Sequence, residues 1–211
     1  MASCPRCSAQ LETPLGCLAC GTLIPLASDA SGRLEFEILG LAPAYAIDAA
    51  ELRRRLLRFS RLTHPDYFAT AGKAEKERAE RATAMLNSAF ALLSDDAARA
   101  DHLVRMLGGP DENAERSMPK EFLMEVLEWN ETLEAARTGD AVPAERLEEL
   151  RRELEAKRVE ALATVAGILE PLPASGAESL RDARRALNVV RYVDRALAEL
   201  EALRLHRAEA R

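Results

Sequence analysis

Apolar positions recur at helical spacing along most of the chain, in runs separated by short breaks rich in glycine, proline and aspartate. From Asp48 to Thr63, Leu52, Leu56 and Phe59 fall at i, i+4 and i+7 and predict an inward stripe. Arg54, Arg58 and Arg61 fall on the opposite side, with no acid between them. Asp48 and Glu51 have the spacing of a capping box at the start of this helix. Pro65 ends it, because the residue before a proline is pushed out of the α region and proline donates no backbone hydrogen bond. A second run, Lys73 to Leu93, puts Ala79, Ala82, Leu86, Ala89, Phe90 and Leu93 on a core stripe. Ser94 is placed to cap a further helix, which Gly108-Gly109-Pro110 stops. Ahead of these lies a short apolar stretch, Leu34 to Leu41, interrupted at Gly40.

Three longer helices follow. The first runs from Pro119 to about Arg137 and stops at Thr138-Gly139-Asp140. The second starts near Pro143 and ends before Pro171-Leu172-Pro173. The third begins at Ser175-Gly176-Ala177-Glu178, a second capping-box pattern, and continues almost to the end. Short connections make neighbours antiparallel, which predicts a three-helix bundle. Leu147, Leu150, Leu154, Val165 and Ile168 mark the core of the middle helix. In the first helix Phe122, Val126, Trp129 and Leu133 form one narrow stripe. Leu123, Met124 and Leu127 lie off it, at roughly 100 to 200 degrees around the helix wheel, beside Glu128 and Glu131. In the third, Leu187, Val190, Val193 and Leu197 form a stripe from which Tyr192 points away. Periodicity leaves two readings of these misfits. They are extra core against a second neighbour, or an exposed apolar patch rimmed by carboxylates and suited to binding a protein.

Composition agrees with an all-α chain. Alanine, leucine, glutamate and arginine dominate the 211 residues, and only 4% are aromatic. The net charge of −6 disfavours a dedicated nucleic-acid binder. No apolar run approaches a membrane span. The N-terminus has neither a basic stretch nor an apolar one after it, so no signal peptide is expected, and a reducing cytoplasm is the expected setting. No nucleophile–base pair or phosphate loop suggests an enzyme.

Every cysteine lies in the first twenty residues: Cys4 and Cys7, then Cys17 and Cys20, two C-x-x-C pairs separated by nine residues. Two thiolates at this spacing bind one metal from a single tight turn, and two such turns complete a tetrahedral four-cysteine shell that suits structural Zn²⁺. Gly21 permits the backbone to open toward the metal. A redox dithiol is disfavoured by the second pair and by the lack of a βαβ context. Disulfides are disfavoured by the absence of a secretion signal. So short a segment needs the ion as its core. With every thiolate used as a ligand, no open position remains for catalysis. Ser28 to Gly32 reads as a linker.

Between the helices that end at Thr63 and begin at Lys73 sits His64-Pro65-Asp66. A helix with an arginine face, this tripeptide on a loop, then a helix with a core stripe resembles the J domain, the module with which co-chaperones stimulate ATP hydrolysis by DnaK-class chaperones. The resemblance implies that Arg54, Arg58, Arg61, His64, Pro65 and Asp66 face the chaperone. An arginine strip attracts an acidic surface even on an acidic protein.

Further residues extend the likeness. Phe36 to Gly40, Tyr45, Phe68, Asn87 and Arg99-Ala100, together with the tripeptide, are similar to the J domain of HscB-type iron–sulfur cluster co-chaperones. Phe122-Leu123-Met124-Glu125 through Trp129 and Glu131 resembles the start of that family's C-terminal domain, and Arg191-Tyr192-Val193-Asp194 its final helix. The likeness spans residues 34 to 203, and some members also carry an N-terminal cysteine knuckle. It implies three parts: a zinc-binding knuckle and linker at 1–31, a J domain at 32–109 and a scaffold-binding three-helix domain at 110–211. It also implies a partner pair, an HscA/DnaK-class chaperone and an IscU-like iron–sulfur scaffold. The scaffold surface falls on Leu123, Met124, Leu127, Glu128, Glu131 and Tyr192, the same misfits that periodicity picks out. Ala135 stands where the family has a further acid, Tyr67 where J domains often have lysine, and Asp96-Ala97 where Pro-Leu is common. The rival readings are a J protein for another client and a zinc-stabilised nucleic-acid binder using Arg53, Arg54, Arg58 and Arg61.

Overall fold

A computed structural model describes residues 2–26, 32–138 and 142–209. The linker read at Ser28 to Gly32, apart from Gly32, and the Gly139-Asp140 stop lie outside the described residues. The chain divides into two compact units, Met1–Met106 and Leu107–Arg211. Among the described residues the regular structure is helical, with no strand beyond isolated bridges.

The first unit holds the cysteine segment and four α-helices: α1 (Leu34–Ile38), α2 (Ala49–Thr63), α3 (Lys73–Ser94) and α4 (Asp96–Met106). A 3₁₀ turn, Pro65–Phe68, joins α2 to α3. Phe36, Ile38 and Leu39 are buried and pack the short α1 against α3. Gly40 follows with φ of +64°. A Cβ there would lie 2.7 Å from the Glu12 carbonyl oxygen and 2.8 Å from Arg55 Nη1, so only glycine fits. Asp48 caps α2 by accepting from the Ala50 amide at 2.8 Å. The predicted capping box is only half made, because Glu51 turns to Arg54 and Arg55 instead. Leu52 and Phe59 are buried as expected, while Leu56 is half-buried.

Alanines 79, 82 and 89 with Leu86 and Leu93 form the buried stripe of α3. Phe90 is half-buried at its edge. Ser94 does not cap α4. Its hydroxyl donates back to Phe90, and Asp95 supplies the cap by accepting from the Ala98 amide at 2.7 Å. Arg99, 5% exposed, donates to the Tyr45 carbonyl at 2.7 Å and to the Leu93 carbonyl, and lies over the Tyr45 ring at 5.2 Å. It thus ties α4 to the loop before α2, and a buried guanidinium stays stable because its donors are used.

The second unit consists of α5 (Lys120–Arg137), α6 (Ala144–Leu169) and α7 (Ser179–Glu209). Leu147, Leu150, Leu154 and Val165 of α6 are buried, and Leu169 is buried where Ile168 was expected. On α7 Leu187, Val190 and Val193 are buried, and Leu200 is buried while Leu197 is only partly so. The second predicted capping box is not formed. The Ser175 hydroxyl donates to the Leu107 carbonyl at 3.0 Å, and the helix begins at Ser179. Helices α6 and α7 pack extensively, whereas α5 meets the others through one arc, with Phe122, Trp129 and Leu133 buried and Val126 half-buried. Ion pairs Lys157–Glu125 at 2.9 Å and Arg137–Glu199 at 2.6 Å close its flanks.

Candidate functional site

The four cysteines come together. Their sulfurs lie within 4.8 Å of one another, with Cys4 to Cys20 at 3.7 Å and Cys7 to Cys17 at 3.6 Å. None is disulfide-bonded. A tetrahedral zinc–thiolate shell has Zn–S bonds near ~2.3 Å and hence sulfur–sulfur edges of about 3.8 Å, so these spacings fit such an ion. Each pair sits on a tight turn. Ser8 adopts φ of +59° while its amide bonds the Cys4 carbonyl at 2.9 Å, and Gly21 adopts φ of +69° while its amide bonds the Cys17 carbonyl at 2.9 Å.

Four crowded thiols cannot all ionise without a cation. The Ala9 amide pulls Cys7 down, but hydrogen bonds to Cys20 and Cys17 outweigh it and push the thiol up to about 12. The Thr22 hydroxyl and amide hold Cys20 down to about 6. A dication would be the balancing charge.

The His64-Pro65-Asp66 turn sits at the exposed end of the α2–α3 pair. The His64 side chain is 53% exposed and that of Asp66 89%. His64 Nδ1 accepts from the Asp66 amide at 3.3 Å, and the Asp66 carboxylate lies 3.6 Å from the same nitrogen. The ring of Tyr67 meets the imidazole edge-on at 6.2 Å. From α3, the Thr83 hydroxyl donates to the Thr63 carbonyl at 2.8 Å and holds the residue before the turn.

Arg54, Arg58 and Arg61 are exposed on the outer side of α2. Sequence showed no acid among them, but two acids reach the strip. Glu51, one turn back, pairs with Arg54 at 2.7 Å. Glu12, from the cysteine segment, pairs with Arg58 at 2.6 Å. The strip is therefore less positive than a count along the helix suggests.

The misfits of α5 are exposed: Leu123 45%, Met124 66% and Leu127 57%, against 2% for Phe122 and 4% for Trp129. Extra core is excluded for these three. Glu128 and Glu131 are exposed on the same helix. Tyr192 of α7 is half-buried. Its ring meets Phe122 edge-on at 5.6 Å, and its hydroxyl donates to Asn130 Oδ1 at 2.9 Å. Asn130 escaped the sequence reading, since a lone asparagine on a polar face carries no signal.

Comparison with known proteins places these features in context. The family model described as the HSCB C-terminal oligomerisation domain matches residues 118–201. The co-chaperone protein HscB homolog of Shewanella loihica is 33% identical over 168 residues, which cover 79% of this chain and 94% of the relative. The crystal structure of the human co-chaperone protein HscB superposes with a TM-score of 0.75 at 24% identity, covering 95% of this chain and 98% of that one. The chaperone HscB from Vibrio cholerae gives 0.66 at 24% identity, covering 82% and 98%.

Proposed function

Because this chain belongs to the HscB co-chaperone family, we propose that it binds an IscU-like iron–sulfur scaffold, delivers it to an HscA/DnaK-class chaperone and stimulates that chaperone's ATPase. In this reading residues 1–31 hold Zn²⁺ on Cys4, Cys7, Cys17 and Cys20. Residues 32–109 engage the chaperone through Arg54, Arg58, Arg61, His64, Pro65 and Asp66. Residues 110–211 engage the scaffold through Leu123, Met124, Leu127, Glu128, Glu131 and Tyr192.

The observation that carries the reading is the split of α5 into two apolar arcs, one buried and one exposed among carboxylates. A stable helix gains nothing by exposing Leu123, Met124 and Leu127 unless something covers them. Burying such side chains contributes about 1.5–3 kcal/mol each before the costs of association, enough for a central cluster of an interface. The carboxylates would guide encounter with a basic partner surface.

The chain itself performs no chemistry in this reading. It binds one conformational state of the chaperone better than another and so shifts the chaperone's equilibrium toward hydrolysis. The zinc shell, with four thiolates and no open position, would serve structure. We place the protein in the cytoplasm; none of its described helices is long and apolar enough to cross a membrane.

Two measurements test the proposal together. Steady-state ATPase of a DnaK-class chaperone should rise on adding the full chain, and an iron–sulfur scaffold should bind the chain in a titration. A chain that binds scaffold but leaves the ATPase at its basal rate would overturn the chaperone assignment. Stimulation without scaffold binding would leave a J protein for another client.

A further inference from the structure

The cysteine segment and the His64-Pro65-Asp66 turn share one apolar cluster. Leu23, three residues after Cys20, is buried in one cluster with Leu62 and Ala79, and Phe68 packs against that cluster. Leu62 is the second residue before His64, and Phe68 closes the 3₁₀ turn. The cluster that holds Leu23 therefore reaches the chain on both sides of the tripeptide.

The strand-like piece that carries Leu23 is seated firmly. Gly16 bridges to Leu23. A Cβ on Gly16 would lie 3.2 Å from Leu62 Cδ2 and 2.8 Å from the Thr22 carbonyl oxygen, so the backbone itself lies against Leu62. Leu15 is 1% exposed, and the Ile24 amide donates to its carbonyl at 2.9 Å. Thr13 adds a polar tie, its hydroxyl donating to the Ile38 carbonyl at 2.8 Å.

The turn has little of its own to fix it. It buries no residue. Its backbone bonds are Tyr67 to His64 at 3.1 Å, Ala69 to Asp66 at 3.2 Å and Ala71 to Phe68 at 3.0 Å. Exposed single-turn bonds open readily unless packing holds the residues they join. Thr63, buried and held by Thr83, adjoins the tripeptide on one side. Leu62 just before it and Phe68 on the other side are the apolar residues that flank the turn, and both belong to the cluster that contains Leu23.

We infer that Leu23 is a positioning residue for the His64-Pro65-Asp66 turn: through Leu62 and Phe68 it sets the conformation in which the turn meets the chaperone, so the cysteine segment tunes chaperone engagement. This rests on the co-chaperone reading above. With Leu23 shortened, the competent turn is populated only part of the time. Apparent affinity falls by that fraction, while the stimulation reached at saturation is retained.

The experiment uses the full, metal-loaded chain as wild type, Leu23→Ala, Leu23→Met and His64→Gln. Metal content and thiol protection confirm that each variant keeps its cysteine shell. Amide hydrogen exchange is read at Tyr67, Ala69 and Ala71, with Leu86 in the core of α3 as reference. Chaperone ATPase is read as a function of chain concentration. Leu23→Ala should speed exchange at the three turn amides by about tenfold or more, leave Leu86 unchanged and raise the half-saturating concentration several-fold at an unchanged maximum. Leu23→Met, of similar volume, should restore both readouts. His64→Gln should abolish the maximum without speeding the turn amides.

If Leu23→Ala loses its metal, Leu23→Val, which removes one methylene, is read in the same way. Unchanged turn exchange in a metal-loaded Leu23 variant overturns the inference whatever the ATPase does, and so does an unchanged half-saturating concentration. A wild-type chain that gives no stimulation, with His64→Gln indistinguishable from it, overturns the co-chaperone reading. The positioning of the turn by Leu23 is then decided by exchange alone.

Discussion

Glu12 of the cysteine segment reaches Arg58 on the outer side of α2, oxygen to nitrogen at 2.6 Å. The two side chains are 47% and 57% exposed, so the pair contributes little to stability. It does place a negative charge on the strip proposed to meet the chaperone. Glu12→Gln should therefore leave the melting temperature nearly unchanged and speed association with the chaperone at low ionic strength, with the gain fading as salt rises. Stopped-flow association rates at two salt concentrations check this. A slower rate in Glu12→Gln would mean that Glu12 itself contacts the chaperone.

His64→Gln should remove ATPase stimulation while helix content and thermal stability stay close to wild type. The imidazole is half-exposed and its one close bond, from the Asp66 amide, is long at 3.3 Å. Surface changes of this kind shift stability within about 0.5 kcal/mol. Circular dichroism melting beside the ATPase assay separates the two effects; a collapsed melting temperature would make His64 structural.

Protein purified without chelator should carry stoichiometric zinc and react slowly with thiol reagents. Stripping the metal should free Cys4, Cys7, Cys17 and Cys20 to titrate and should loosen residues 1–26. Because Leu15 and Leu23 are buried in the first unit, the loosening should spread to the turn after α2 while the second unit keeps its melting behaviour. Binding must displace the proton of Cys7, which its neighbours push up to about 12 in the free thiol set. Metal affinity should consequently rise with pH and fall on acidification. Elemental analysis and competition with a zinc chelator at several pH values measure both; four freely titrating thiols in metal-free native protein would remove the metal site.

Glu51 supplies the pH dependence of the α2 start. Hydrogen bonds from Arg55 and then Arg54 hold its carboxyl below the usual range. Its folded value is thus below its unfolded one, so its contribution is present above the unfolded value and is lost as pH falls through the folded value. Arg55, freed from Glu51, would still hold the Gly40 carbonyl at 2.6 Å. Glu51→Gln should therefore flatten the acid side of the stability profile slightly without altering its neutral plateau by much. Denaturant melts across the acid range check this; an unchanged acid limb would show that the pair carries no linkage.

What could be read from sequence, and what could not, divides by the range of the interactions. Helix positions follow from local periodicity, so Leu52 and Phe59 on α2 and Leu147, Leu150 and Leu154 on α6 are buried as their spacing predicts. Caps depend on competing partners and were misplaced: Glu51 is taken by Arg54 and Arg55, Ser175 by the Leu107 carbonyl, and Asp95 outdoes Ser94. Whether Leu123, Met124 and Leu127 are core depends on how many neighbours surround α5, which periodicity does not encode. Glu12 on Arg58 and Leu23 on Leu62 are contacts across dozens of residues, and neither sequence position looks unusual.

The patch on α5 gives the sharpest separation of stability from binding. Leu123 and Leu127 stand one turn apart at 45% and 57% exposure. Replacing both with alanine removes surface that already faces water, so the stability cost should stay far below the ~2–5 kcal/mol per site of a buried leucine. Scaffold affinity should instead fall by up to several kcal/mol, since a few central apolar residues carry most of an interface. Tyr192→Phe should behave differently. It loses the 2.9 Å bond to Asn130 but keeps the ring against Phe122, so affinity should drop only modestly. Replacing Glu128 and Glu131 with glutamine should slow association and weaken its salt dependence, with little change in dissociation. ATPase stimulation by the chain without scaffold should survive all of these changes, because the His64-Pro65-Asp66 turn belongs to the other unit. Calorimetric melting, titration calorimetry with scaffold and the scaffold-free ATPase together decide it. Normal scaffold affinity in the Leu123→Ala, Leu127→Ala chain would remove this face from the scaffold interface.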